Sequence, residues 1–415
     1  MDSRPLKSGA PHFSLAQSDL PAIAGGSPVR SRQNRIVFGA PLIGEAEVAS
    51  VAECIRSRWI GLGELVGRFE QEFAAYKKAP YAAAVGSCSA ALHLVLAALG
   101  IKAGDEVIAP SMTFCSTVHA IVHAGATPVL VDCDRVTMNI DPALIESRIT
   151  PRTKGLMVVH MCGRSCEMDP ILEVASRHDL KVVEDCAHAI ETTYRGRPAG
   201  LLGDAGCFSF YPTKSITTGD GGMIISRNKE LIEQVKLLSY NGVATSAWTR
   251  FSGDVAGYQV IAAGFKYNMT DMEAALGLPQ LPLLEERWAQ REQLWRAYDE
   301  GLKELPVILP EVRDTRNRHA YHLYPPLLRL ERLSVGRHQI VAAMEAENIG
   351  VGIHYEPVHA QPFYRKHLGY RDADFPNATY IGERTISLPL SAGMTEDDVS
   401  EVCTALARVL HYYAT

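Results

Sequence analysis

The sequence is poor in the features that mark membrane, nucleic-acid-binding and disulfide-bonded proteins. No apolar run reaches the roughly 18 residues of a membrane-spanning helix anywhere in its 415 residues. No block of about five or more basic residues is present and the net charge is −6. Both argue against a nucleic-acid footprint and against a polybasic membrane segment. Nine cysteines are too few for a disulfide scaffold in a chain of this size, and Cys133, Cys186, Cys207 and Cys403 sit inside apolar runs, where cysteine behaves as a small hydrophobe. The pair in MCGRSC, Cys162 and Cys166, lacks the second cysteine pair or histidine cluster that a zinc site uses, so no metal site is expected. Residues 1–35 hold no apolar core of signal-peptide type, which makes the cytoplasm the expected compartment. Residues 1–34, rich in Gly, Pro and Ser, read as a flexible lead-in.

What is present is ordinary globular composition, 47% apolar and 21% charged, with length enough for two domains. From Ala82 to Arg227 helical and strand-like segments alternate. AALHLVLAALG (90–100) is apolar at helical spacing and stops on Gly100; STVHAIVHAGA (116–126) reads as helix, as does DPALIESRI (141–149) with Asp141 at its N-cap and Pro142 at N1. Strand candidates are GDEVIAPS (104–111), TPVLVDCD (127–134), GLMVVHM (155–161), KVVEDCA (181–187), CFSFYP (207–212) and GGMIISR (221–227). Short, almost continuously apolar strands between helices imply a mostly parallel sheet covered on both faces, an α/β fold. The expected division is a large domain over 35–270, a bridging helix over 271–305, and a smaller α+β domain over 306–415.

Within that frame, four features carry chemistry. FSFYPTKSITTGDGG (208–222) contains one lysine, Lys214, with no acidic residue before Asp220. Asp185 stands at the carboxyl end of a buried strand, where open α/β sheets bind ligands; an N-cap aspartate for the next segment fits that position equally. Ser87, Cys88 and Ser89 form a small-residue turn into a helix, whose free N–H groups and dipole suit an anion, although a plain serine N-cap looks the same. Phe114 lies in the turn after another strand, placed to stack on a flat ring or to fill core. GLGELVG (61–67) has the wrong spacing for a dinucleotide fingerprint and follows a helix-like segment. Together an anion-binding helix start, a stacking aromatic, a strand-end carboxylate and a lone lysine are the parts a pyridoxal 5'-phosphate site needs. The missing acidic neighbour then makes sense, because a nucleophilic amine must spend time uncharged and a salt bridge would hold it as ammonium.

These residues resemble the DegT/DnrJ/EryC1/StrS sugar aminotransferases, pyridoxal phosphate enzymes of fold type I. The similarity runs in order through GSCSAALHLVLAALGIKAGDEVIAPSMTF, NIDPALIESRITPRTKGLMVVH, VVEDCAHAIETTYRGRPAG, FSFYPTKSITTGDGG, GFKYNMTDMEAALGLPQL, RHAYHLYPPLL, VGIHYEPVHAQPFYR and ISLPL, roughly residues 36–412. EDCAHA and GFKYNMTD are most similar to the branch that aminates UDP-4-keto-pentose in lipid A modification (the UDP-4-amino-4-deoxy-L-arabinose–oxoglutarate aminotransferases), whereas GGSPVR is more often seen ahead of the cyclitol and antibiotic-sugar branch. The resemblance implies a seven-strand, mostly parallel sheet in the large domain. It makes Lys214 the Schiff-base lysine and proton shuttle, and pairs Asp185 with the pyridine nitrogen. Cys88, Ser89 and Ser209 would hold the phosphate, Phe114 would stack on the ring, and His188 would sit near its hydroxyl and the substrate. Family members commonly carry Gln at the His188 position and Gly-Thr at Cys88-Ser89. The loop with Lys266 and Asn268 reaches the neighbouring subunit's cofactor phosphate in the family, which implies a homodimer with shared sites. Trp59, Gly61, Gly63, His322, His354 and Tyr355 are candidates for the substrate side, or for packing.

The implied reaction moves an amino group from an amino acid, expected to be L-glutamate, to a keto sugar nucleotide, expected to be a 4-keto sugar, by a ping-pong route. A keto-cyclitol acceptor is an alternative that the sequence leaves open. Dehydratase relatives carry His in place of the lysine, which Lys214 argues against. A non-catalytic pyridoxal phosphate-binding regulator on the same fold would be expected to add a helix-turn-helix or basic region, and none is present.

Overall fold

A computed structural model describes residues 35–244, 258–312 and 315–415; the expected lead-in over 1–34 and the GGSPVR stretch lie outside them. Two amphipathic helices, α1 (Glu45–Ser57) and α2 (Glu64–Lys77), precede the sheet. The sheet has seven strands: β1 (Tyr81–Val85), β2 (Glu106–Pro110), β3 (Thr127–Val131), β4 (Thr153–Val159), β5 (Lys181–Asp185), β6 (Ala205–Ser209) and β7 (Gly222–Ser226), in the order β1-β7-β6-β5-β4-β2-β3. Only β7 runs against its neighbours β1 and β6; β6-β5-β4-β2-β3 are parallel. The sheet is therefore mostly parallel. β2, β6 and β7 are buried at every position, which explains why they read as continuous apolar runs rather than alternating ones.

Helices α3 (Cys88–Ala98), α4 (Cys115–His123), α5 (Met168–Arg177) and α6 (Lys229–Ser239) cover this sheet. Ser87 caps α3, its hydroxyl accepting from Ala90 N at 3.1 Å, and the helix ends just before Gly100 at φ +80°, a left-handed position that glycine adopts without strain. The stretch 141–149 is shorter in helix than its pattern suggests: Asp141 caps a single α turn, Pro142–Ile145, which tightens to 3₁₀ over Glu146–Arg148.

The segment expected as one bridging helix is broken. α7 (Asp271–Gly277) starts at Thr270 with a reciprocal cap to Glu273, a 3₁₀ stretch follows over Leu278–Leu283, and α8 (Leu284–Leu302) completes the run. Pro279 and Pro282 cause the break, since neither supplies a backbone N–H. α8 packs with α9 (Arg337–Ala346) and α10 (Glu396–Tyr412) around a second core of Trp295, Tyr298, Met344 and Leu406. Val358, Tyr364, Phe375 and Ile381 pack instead with the sheet's Val107 and Leu130, so the C-terminal part of the chain reaches back over the sheet and closes one side of the site. Among the described residues no helix is long and apolar enough to cross a membrane.

Candidate active site

The carboxyl ends of β5 and β6 and the start of α3 meet at a cavity of about 380 Å³. Cys88 and Ser89 enter it from the first turn of α3, Asp185 from the end of β5, Ser209 from the end of β6, and Lys214 from the turn that follows. Phe114, His188, His354 and Tyr355 complete the expected set within the same cavity. The approach of backbone is close here: a Cβ added to Gly222 would lie 2.6 Å from the carbonyl carbon of Ser87. Only glycine lets β7 run beneath the α3 N-terminus.

Lys214 is half-buried and has no ion-pair partner among the described residues. Desolvation lowers the pKa of its amine to about 8, against the opposing pull of Cys88, Asp185 and Cys162. Asp185 is 4% exposed. Its Oδ2 accepts from the Thr117 hydroxyl at 2.8 Å and its Oδ1 from Ala187 N at 3.0 Å. Burial pushes this carboxyl upward because the two hydrogen bonds only partly offset lost hydration. It is a buried carboxylate without a contacting cation, which fits the protonated nitrogen of a pyridine ring. Phe114 is 54% exposed and lines the cavity, its ring 5.7 Å from that of Tyr355; an aromatic face bare to the cavity fits a flat ligand.

His188 accepts from Cys162 N through Nδ1 at 3.3 Å, leaving Nε2–H to donate to the Tyr355 hydroxyl at 3.1 Å. Burial, with Lys214 and two neighbouring histidines nearby, holds its pKa well below the ordinary histidine value, so the ring is neutral. The His322 ring lies 4.6 Å from it, tilted by 35°, but lines a separate small cavity that Lys214 also borders. His354 hydrogen-bonds Ser387 through Nδ1 at 2.9 Å, and burial brings its pKa down to about 3.

With His322, six expected residues lie outside the cofactor cavity: Trp59, Gly61, Gly63, Lys266 and Asn268 are the others. Trp59, Gly61, Lys266 and Asn268 line an open cleft of about 410 Å³, in which Lys266 Nζ donates to Asn268 Oδ1 at 2.6 Å. Gly63 is a packing position, since a Cβ there would come within 2.3 Å of the Trp59 indole nitrogen, and the Gly61 carbonyl accepts from Asp271 N at 2.7 Å. Sequence reasoning missed Thr117, Phe38 and Tyr211. Thr117 shared a face of α4 with Phe114 at a spacing of three, a signal that was there to read; Phe38 arrives from a distant segment and gave none.

A model of the DegT/DnrJ/EryC1/StrS aminotransferase family matches residues 41–407. The chain belongs to that family. It is 45% identical over 385 residues to the spore coat polysaccharide biosynthesis protein SpsC of Bacillus subtilis, covering 92% of this chain and 99% of that one. Among solved structures it is similar to a putative sugar aminotransferase of Streptococcus pneumoniae, seen in its pyridoxal phosphate form with a TM-score of 0.85 and 29% identity, over 92% of this chain and 100% of that one. It is also similar to DesI, solved in the presence of its TDP-sugar product, with a TM-score of 0.82 and 30% identity, over 94% and 96% of the two chains. The protein is a pyridoxal phosphate-dependent transaminase of the sugar aminotransferase type.

Proposed function

We propose that this enzyme moves an amino group from L-glutamate to a keto sugar nucleotide, a 4-keto sugar, in two half-reactions that share one site. The observation that carries the reading is the convergence of Lys214, the buried Asp185 carboxylate and the first turn of α3 on one cavity. Pyridoxal phosphate, when bound, supplies the reactive carbonyl and a ring that stores an electron pair. The α3 N–H groups with Ser89 and Ser209 take the phosphate charge. Asp185 would hold a proton on the ring nitrogen, its carboxylate oriented by the Thr117 hydroxyl. Phe114 covers one face of the ring.

Lys214 Nζ would take the proton from the donor's Cα and pass it to the cofactor carbon that bore the carbonyl; with the keto sugar the same nitrogen would carry a proton the opposite way, onto the sugar carbon that receives the amine. An amine titrating near 8 exchanges a proton readily near neutral pH. His188 has both ring nitrogens engaged, by Cys162 N and the Tyr355 hydroxyl, so in this reading it would act on a neighbouring hydroxyl through Tyr355.

Among the described residues the cavity's lining includes no arginine and only one lysine, Lys214. A phosphate and a substrate carboxylate therefore call for cations from outside that lining. Lys266, hydrogen-bonded to Asn268 in the open cleft beside Trp59, would supply one such cation to the cavity of a second copy in a homodimer with shared sites. DesI, crystallised with a TDP-sugar product, and SpsC, a polysaccharide biosynthesis protein, support a nucleotide-linked sugar as the acceptor. The test is a panel of keto sugar nucleotides and keto-cyclitols assayed with glutamate for release of 2-oxoglutarate. Turnover with 4-keto sugar nucleotides is expected, and turnover confined to keto-cyclitols would overturn the acceptor assignment.

A further inference from the structure

The turn that carries Lys214 has a cavity on each side. Thr213 and Lys214 line the cofactor cavity and also a second space of about 20 Å³, bounded by Gln280, Arg287, Arg291 and His322. That space is room for about one water, so packing does not clamp the turn from this side. Polar ties do so instead. The Ser215 hydroxyl donates to Glu191 Oε2 at 3.3 Å, and Glu191 Oε1 accepts from Arg291 at 2.6 Å. Arg291 also donates to the Ala320 carbonyl at 3.2 Å, which anchors it to the segment bearing His322. Two residues beyond Ser215, Gln280 accepts from Thr217 N at 3.1 Å and donates to the Thr217 carbonyl at 2.8 Å.

The side chains of Glu191 and Arg291 are 0% and 4% exposed, and neither lines the cofactor cavity. Desolvating such a pair costs about as much as its attraction returns, and apolar replacements of like volume are often no less stable. Stability alone therefore gives little reason to bury this pair beneath the Lys214 turn. We propose that Glu191 and Arg291 are positioning residues that hold Ser215, and through it fix where the Lys214 amine sits in the cofactor cavity. The inference rests on Lys214 being the residue that carries the cofactor. The groups facing that amine are Asp185 on β5, Cys88 on α3, Cys162, His188, His322 and His354. Ser215→Ala leaves every one of them and its charged neighbours in place, whereas the double substitution also removes the Arg291 charge that acts on His322.

The test is a pH titration of the visible absorbance band in full-length, cofactor-loaded protein. Two changes are compared with wild type: Ser215→Ala, which cuts the tie and leaves the ion pair, and the apolar double substitution Glu191→Leu with Arg291→Met. A lysine nitrogen released from its tie takes up water and keeps its proton to higher pH, so the midpoint is expected to rise by about half to one unit in both. A merely structural role would change the unfolding midpoint of the double variant and leave the band's pH midpoint where it was. An unchanged midpoint in Ser215→Ala overturns the proposal even if the double variant fails to fold. A band that survives Lys214→Ala would instead bring down the reading of Lys214, and the positioning proposal with it.

Discussion

Glu184 and Asp185 are consecutive residues of β5, both buried, and they are equipped in opposite ways. As neighbours on a strand they point to opposite faces of the sheet. Glu184 is saturated: His160 Nε2 lies 2.9 Å from it, and Gly200, Leu202 and Gly203 donate backbone N–H groups at 2.7–2.8 Å. Burial pushes its pKa up, but His160 and these amides outweigh that and leave it below the ordinary 4.5. Asp185 receives two short hydrogen bonds, from Thr117 and Ala187, and a long one from the Cys88 thiol at 4.0 Å, and burial leaves its pKa above the ordinary 3.8. A carboxylate with every lone pair used fastens a loop, whereas one left short of partners still has capacity for a ligand. The same contrast applies to the cluster of His160, Glu184 and Cys186, whose ligand atoms lie within 4.8 Å of one another. His160 Nδ1 accepts from Cys166 N at 3.0 Å, and with Glu184 occupied by backbone the cluster has the bonding of a structural knot.

The contrast is sharpest if the two carboxylates are neutralised separately. Asp185→Asn is expected to lower kcat/KM by ~10²–10³-fold, with the denaturation midpoint close to wild type, measured by initial rates and chemical unfolding on one preparation. Glu184→Gln should do the reverse: a loss of about 3 kcal/mol of stability, with the specific activity of the folded fraction near wild type. The pH dependence follows from the sign of the shift. Glu184 has a folded pKa below its unfolded value, so its stabilisation is complete above about 4.5 and is lost as pH falls through the folded pKa. Acid unfolding curves of Glu184→Gln should therefore lack that part of the slope, and a mutant as acid-sensitive as wild type would contradict it. A smaller effect is expected from Thr117→Val, which removes the one hydroxyl donor to Asp185 among the described residues; a loss of about tenfold in activity, as for other partners that orient a key group, is the expected result of a kinetic comparison. A Thr117→Val enzyme as active as wild type would mean that Asp185 is oriented without it.

How much of this was legible in the sequence differs between the two residues' surroundings. Asp185 and Lys214 could be read because each follows a short apolar strand, and position at a strand end says where a side chain goes. That Cys88 and Ser89 open a helix at the cavity was legible as well, since small residues ahead of an apolar helical run mark a helix start. Glu184 gave no hint of its role. Its partners arrive from a loop 16–19 residues later, and backbone donors carry no side-chain signature. Glu191, Arg291 and Ser215 were hidden likewise, because Arg291 stands 100 residues from Glu191 and meets it only when α8 folds under the sheet. The break in the bridging segment was half legible: Pro279 and Pro282 were visible, but only the packing against α1 and α2 shows that the chain continues in register as 3₁₀.

The central claim is that Lys214 holds the cofactor, and the most direct measurement is the visible absorbance spectrum of purified, pyridoxal phosphate-loaded protein beside that of Lys214→Ala. Wild type should show a band that titrates with pH and disappears in the variant, while both proteins keep the same far-ultraviolet circular dichroism. A variant that keeps the band with the same pH dependence would contradict the account.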